Sequence, residues 1–108
     1  MSAPFVTTLR ARGSTIRLTP EGGPAITIRV EMPEVWDVVA IVVSPDESVV
    51  NVKKRALEAL YPEARSHADF VTKLRGWEIL DETASLADAG AIDGSILLLT
   101  FRRRRAVR

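Results

Sequence analysis

The sequence predicts an α+β domain in which a mixed sheet of four to five strands packs on one helix. Three features carry that expectation. Residues 25–43 hold a run that alternates apolar and polar side chains as in a strand, followed by a second β-rich run, Val35 to Val43. Val49 to Leu60 repeats its apolar residues every three to four positions, and Ser95 to Phe101 is nearly continuous in apolar residues. A lone helix of that length covers one face of a small sheet, which implies two layers.

At 108 residues the chain suits one core, and its 46% hydrophobic and 27% charged shares are those of a globular domain. Cysteine is absent, which excludes disulfides, thiolate metal sites and cysteine nucleophiles. No apolar run approaches the roughly 20 residues that cross a bilayer, and Met1 to Leu9 lacks the pattern of a secretory signal. A cytoplasmic protein without membrane insertion is expected. The net charge of +1 conceals a segregation, because residues 1–24 carry +2, residues 25–101 carry −6 and residues 102–108 carry +5. An acidic body with basic ends implies tails that fold back or tails that meet an anionic partner.

Residues 1–24 are rich in Thr, Arg, Gly and Pro and show no sustained period. Two readings stand: a flexible leader, or an extra edge strand at Thr15-Ile16-Arg17-Leu18 before the turn at Pro20 to Pro24. From Ala25, the residues Ile26, Ile28, Val30 and Met32 alternate with polar neighbours and predict a strand, which Pro33 and Glu34 break. Val35 to Val43 predicts the second strand of an antiparallel hairpin, with Val39, Ile41 and Val43 on one face.

Ser48 is a hydroxyl cap for the helix, and Asp46 and Glu47 sit near its positive end. Val49, Val52, Ala56 and Leu60 form its apolar stripe with Leu57 beside it, while Lys53, Lys54 and Arg55 fall off the stripe. Pro62 ends the helix. Phe70 to Gly76 predicts a third strand and Trp77 to Leu80 a very short fourth. Leu86, Ala89 and Ile92 suit one compact helical turn, with Gly90 free to turn left-handed and Gly94 preparing the last strand. The first and last of these strands are expected to pair in parallel at the centre.

Three segments in this order resemble the ubiquitin-like β-grasp superfamily across roughly residues 25–102. They are V-S-P-D-E-S-V-V-N-V-K-K at 43–54, L-R-G-W-E-I-L-D-E at 74–82 and L-A-D-A-G-A-I-D-G-S-I-L-L-L at 86–99. The spacing from Phe70 to Leu99 is also similar to that of the bacterial YukD/EsaB group, non-conjugating accessories of type VII secretion. Residues 1–24 and the basic tail at 103–108 depart from that group's pattern. Conjugating members of the superfamily end in a diglycine, whereas here Gly94 is the last glycine and the chain ends R-R-R-R-A-V-R. The resemblance therefore implies a binding module rather than a covalent modifier.

The superfamily's apolar recognition patch maps onto the first hairpin tip and two strand positions. The strand positions are the polar Lys73 and Thr100, while the tip offers Val35 and Trp36 and the glycine turn is followed by Trp77. The two tryptophans are read either as partner anchors or as caps on the core edges. The candidate partner-binding residues are thus Val35, Trp36, Lys73, Trp77, Thr100, Arg102, Arg103, Arg104 and Arg105.

No catalytic, metal or cofactor site is expected. His67, the single histidine, reads as a solvated loop residue, and Asp88 and Asp93 read as caps of the compact turn. The arginine run offers bidentate contact to phosphate or carboxylate. It supports three readings: nucleic acid or another anionic surface, an acidic protein, or the chain's own acidic body. The expected partner is another protein, with a nucleic-acid-associated module as the alternative. The oligomeric state is not legible.

Overall fold

The computed structural model describes residues 15–20 and 22–102. Its strands are β1 (Thr15–Arg17), β2 (Ile26–Met32), β3 (Asp37–Val43), β4 (Phe70–Leu74), β5 (Trp77–Glu78) and β6 (Ile96–Phe101). The helices are α1 (Val49–Leu60) and the single turn α2 (Leu86–Ala89). All six strands form one sheet in the order β1-β3-β2-β6-β4-β5. The four to five strands expected from sequence become six because Thr15–Arg17 pairs in parallel with β3, Ile16 opposite Ile41. Of the 1–24 stretch, residues 1–14 and Glu21 lie outside the described residues.

β2 and β3 form an antiparallel hairpin, β6 pairs with β4 antiparallel, and β2 meets β6 in parallel at the centre. Alternation along the strands sends Ile28, Val30, Met32, Val39, Ile41, Val43, Leu97 and Leu99 to one face, all essentially inaccessible to solvent. Val49, Val52, Ala56, Leu57 and Leu60 of α1 lie in the same core, each buried Val or Leu side chain contributing roughly 1.5–3 kcal/mol. Tyr61 and Phe101 close one end of this layer against Phe70, with Phe70 and Phe101 ring centroids 4.9 Å apart.

The second strand starts later than its apolar pattern suggests. Pro33–Val35 make a 3-10 turn and Trp36 adopts a left-handed conformation, φ 56°, so the strand begins at Asp37. α2 also stops at Ala89, capped by Gly90 at φ 96° with its N–H on the Leu86 and Ala87 carbonyls. Ile92 falls beyond it and is exposed rather than part of the turn. The cap at the other end is Ser85, whose Oγ accepts from the Asp88 N–H at 3.0 Å. Asp93 instead accepts from the Thr27 N–H at 2.8 Å and secures the start of β2. His67 is half-buried with an unpartnered, buried Nδ1, not a solvated loop side chain.

The N-terminus of α1 is covered by the segment 82–86. The free N–H groups of Val49 and Val50 donate to the Ala84 and Glu82 carbonyls at 2.9 and 2.7 Å, and Asn51 donates to Ser48 Oγ at 3.2 Å. This crossing corrects the expectation for Lys53. The residue is off the apolar stripe, yet its side chain is 1% exposed because β4 and the crossing segment enclose it. Its ammonium donates to both Glu82 carboxylate oxygens at 2.8 and 3.1 Å and to the Phe70 carbonyl at 2.7 Å. Thr72 Oγ1 donates to the same carboxylate at 2.8 Å. All three ammonium protons are thereby satisfied, which is what makes a buried lysine tolerable.

Glu82→Ala should therefore leave a buried unpaired ammonium and lower the unfolding free energy by about 3–5 kcal/mol. The double variant Lys53→Met, Glu82→Leu should lose less, because neither charge remains. Urea denaturation of the three proteins checks this, and equal losses would show that the charges do not act as a pair.

Candidate interaction surface

The face of the sheet turned away from α1 has no helix over it among the described residues. Its central rungs follow from the register: Lys73 stands opposite Leu98 and Thr100 opposite Val71, with Glu78 on the far side of Lys73. Lys73 and Thr100, both expected from sequence, thus share this open face. So does Ile96, which alternates with the buried Leu97 and is 45% exposed.

At one end the face deepens into a groove of about 540 Å³ between the β4–β5 turn and the α2–β6 loop. Ile92, Ile96 and Leu98 supply apolar surface, and Lys73 and Arg75 bring two cations. The β4–β5 turn has two residues, Arg75 and Gly76, with φ of 54° and 86°. Positive φ at both is the mark of a type I′ hairpin. Arg75 turns back to donate to the Gly90 carbonyl at 2.7 Å, tying the turn to the end of α2 and setting the groove's width.

The other candidates do not converge there. Val35 is half-buried and packs against the core. Trp36 is 90% exposed at the tip of the β2–β3 hairpin, which Glu34 ties to the end of β6 by accepting from the Phe101 N–H at 3.3 Å. Trp77 is 79% exposed but stands opposite the buried Leu74, so its side chain belongs to the face opposite Lys73. Neither indole caps the core, and the packing reading of both fails. Arg102 is held on the body: Nε donates to the Ala68 carbonyl at 3.0 Å, and its guanidinium lies 3.6 Å from Glu78. Arg103, Arg104 and Arg105 lie outside the described residues.

Ile92, Ile96 and Arg75 were not among the partner-binding residues expected from the sequence. The uniformly apolar run Ile96-Leu97-Leu98-Leu99 shows only that alternate residues of a strand face opposite sides, not which of them face out. Among the described residues no group of three His, Asp or Glu side chains is placed to hold a metal, and no helix is long and apolar enough to cross a membrane.

No protein-family model matches the chain, and no curated protein is significantly similar to it in sequence. Solved structures are similar in shape. The ubiquitin-like domain of an Arabidopsis thaliana protein superposes with a TM-score of 0.63 at 18% identity, covering 83% of this chain and 92% of that one. The C-terminal ubiquitin-like domain of mouse tubulin-specific chaperone e gives 0.61 at 14% identity, with 82% and 98% covered. The ubiquitin of Caldiarchaeum subterraneum gives 0.61 at 16% identity, with 76% and 99% covered. The fold is ubiquitin-like. At these identities the likeness concerns the fold, and it lends no support to the narrower resemblance to the bacterial secretion accessories. On this open face Lys73 and Thr100 are polar, and Ile92, Ile96 and Leu98 carry the apolar surface of the groove.

The two faces make separable predictions. Leu97→Ala should cost about 2–5 kcal/mol because it empties a core position. Ile96→Ala, one residue earlier, should stay within about 0.5 kcal/mol of the parent. Urea unfolding measures both, and a loss at Ile96 as large as that at Leu97 would mean that the open face is covered.

Proposed function

We propose that this ubiquitin-like domain is a non-covalent protein-interaction module, an adaptor or accessory subunit, that binds a partner through the groove between the β4–β5 turn and the α2–β6 loop. It is not an enzyme in this reading. The observation that carries it is the exposure of Ile92, at 67%, and Ile96 beside Lys73 and Arg75 in a groove whose walls are tied together. Apolar side chains held open on a rigid frame contribute nothing to folding and gain free energy when a partner covers them. The two flanking cations select a partner segment that sets carboxylates beside its apolar residues.

The nucleic-acid alternative rests on the arginine run. Its first member is already engaged with Glu78 and the Ala68 carbonyl, so fewer arginines are available to phosphates than the sequence suggests. That contact favours the protein partner over the polyanion.

Selection of peptides from a random library on the full-length chain tests the proposal. The retained peptides should combine apolar residues with Asp or Glu, and Ile96→Glu should weaken them at least tenfold while the protein's circular dichroism is unchanged. Peptides that bind the Ile96→Glu and Ile92→Glu variants as tightly as the parent would assign the binding to another surface. Retention of single-stranded oligonucleotides at low salt, lost on adding salt and on deleting residues 102–108, would instead favour the alternative.

A further inference from the structure

A second groove lies on the other side of the Arg75–Gly90 tie, between β5 and α2, and does not depend on the surface proposed above. Leu74, Ile79 and Ala89 line it, Trp77 stands exposed beside them, and Asp81 and Asp88 bring carboxylates to it. Its volume of about 270 Å³ is below the roughly 300–1,000 Å³ of small-molecule sites and suits one side chain.

The chemistry of the groove is one-sided. Trp77 lies on a two-residue edge strand, where its indole is left to solvent. Among the described residues the Asp88 carboxylate accepts no hydrogen bond and has no ion-pair partner. Asp81 Oδ1 accepts from both the Thr83 N–H, at 3.1 Å, and the Thr83 hydroxyl, and Asp81 has no ion pair among the described residues. None of the residues lining this groove is a cation, and Arg75 lies at its border with its guanidinium on the Gly90 carbonyl. Glu78 also borders the groove, but it stands opposite Lys73 on the other face of the sheet, and its carboxylate lies 3.6 Å from the Arg102 guanidinium.

An aromatic face next to unpaired carboxylates favours a cation whose plane stacks on the indole while its N–H groups meet the acids. Arginine fits both demands, and the compact, strongly hydrated ammonium of lysine fits the second better than the first. We propose that the groove between β5 and α2 is a docking site for an arginine side chain of a basic segment in a partner protein. With the opposite groove selecting acidic and apolar segments, the domain presents two surfaces of contrary charge preference.

The test is a titration of the full-length protein with a short amidated peptide holding two arginines among glycines, followed by nuclear magnetic resonance. The Trp77 indole N–H and the Asp88 and Ala89 amides should shift saturably, and the Trp36 indole should not. Trp77→Ala and Asp88→Asn should each weaken binding about fivefold or more, and a peptide with citrulline for arginine should fail to bind. Trp77 and Asp88 are exposed, so both variants are expected to keep the parent circular dichroism. Ile96→Glu should leave this titration unchanged, which separates failure here from failure at the first groove. Shifts spread evenly over all surface carboxylates, or insensitivity to Trp77→Ala, would overturn the proposal. Self-association of the protein abolished by Trp77→Ala, without peptide binding, would assign the groove to the arginines of a second copy and likewise overturn it.

Discussion

The fold turns on the parallel seam between β2 and β6. It consists of only three rungs, Arg29 opposite Ile96, Val30 opposite Leu97 and Glu31 opposite Leu98, and joins segments more than sixty residues apart in sequence. Parallel neighbours cannot be linked by a tight hairpin, so the chain must cross over, and α1 lies in that crossover. The seam is reinforced at its entry. Asp93 accepts from the Thr27 N–H, Gly94 donates to the Thr27 carbonyl, and Arg29 donates to the Ser95 carbonyl at 3.0 Å. Two halves, the mixed β1-β3-β2 and the antiparallel β6-β4-β5, are thereby locked into one sheet that a single helix can cover.

The crossing segment 82–86 is the second consequence of that topology. Having left β5, the chain must pass α1 to reach α2 and β6, and it does so where α1 exposes its unpaired N–H groups. Glu82 and Ala84 supply carbonyls there, and Glu82 then places its carboxylate over Lys53. The buried pair is therefore a by-product of how the helix end is satisfied. It also explains why the charge does not demand a functional role: the ammonium finds all its acceptors within the fold.

Much of the architecture was legible because it rests on local periods. The two-residue alternation of Ile28, Val30 and Met32 and the helical spacing of Val49, Val52 and Ala56 mark faces directly, and all six are buried. Lys53 was not legible, because its burial comes from a segment thirty residues away that no helical stripe records. Nor were the tryptophans. Composition makes a large indole a core candidate, whereas Trp36 falls on a left-handed turn residue and Trp77 on an edge strand that α1 does not reach. The apolar part of the open face was masked in a different way. Ile96-Leu97-Leu98-Leu99 is apolar throughout, so the sequence does not say which two of the four remain outside. Register decides it, and register is set by the seam.

The two grooves are separated by one joint. Arg75 occupies the first residue of the β4–β5 turn and its guanidinium rests on the carbonyl of Gly90, the residue that ends α2. On one side of this contact lie Ile92, Ile96 and Lys73, and on the other Trp77, Asp88 and Ala89. A carbonyl at the end of a helical turn carries partial negative charge and is short of a partner, so a guanidinium satisfies it well. The left-handed conformation of Gly90 lets the chain turn away immediately afterwards, toward the loop that carries Ile92. The same hydrogen bond consequently borders both surfaces. This allows a small sheet to carry a cationic, apolar groove and an acidic, aromatic one on opposite sides of a single turn without either closing on itself.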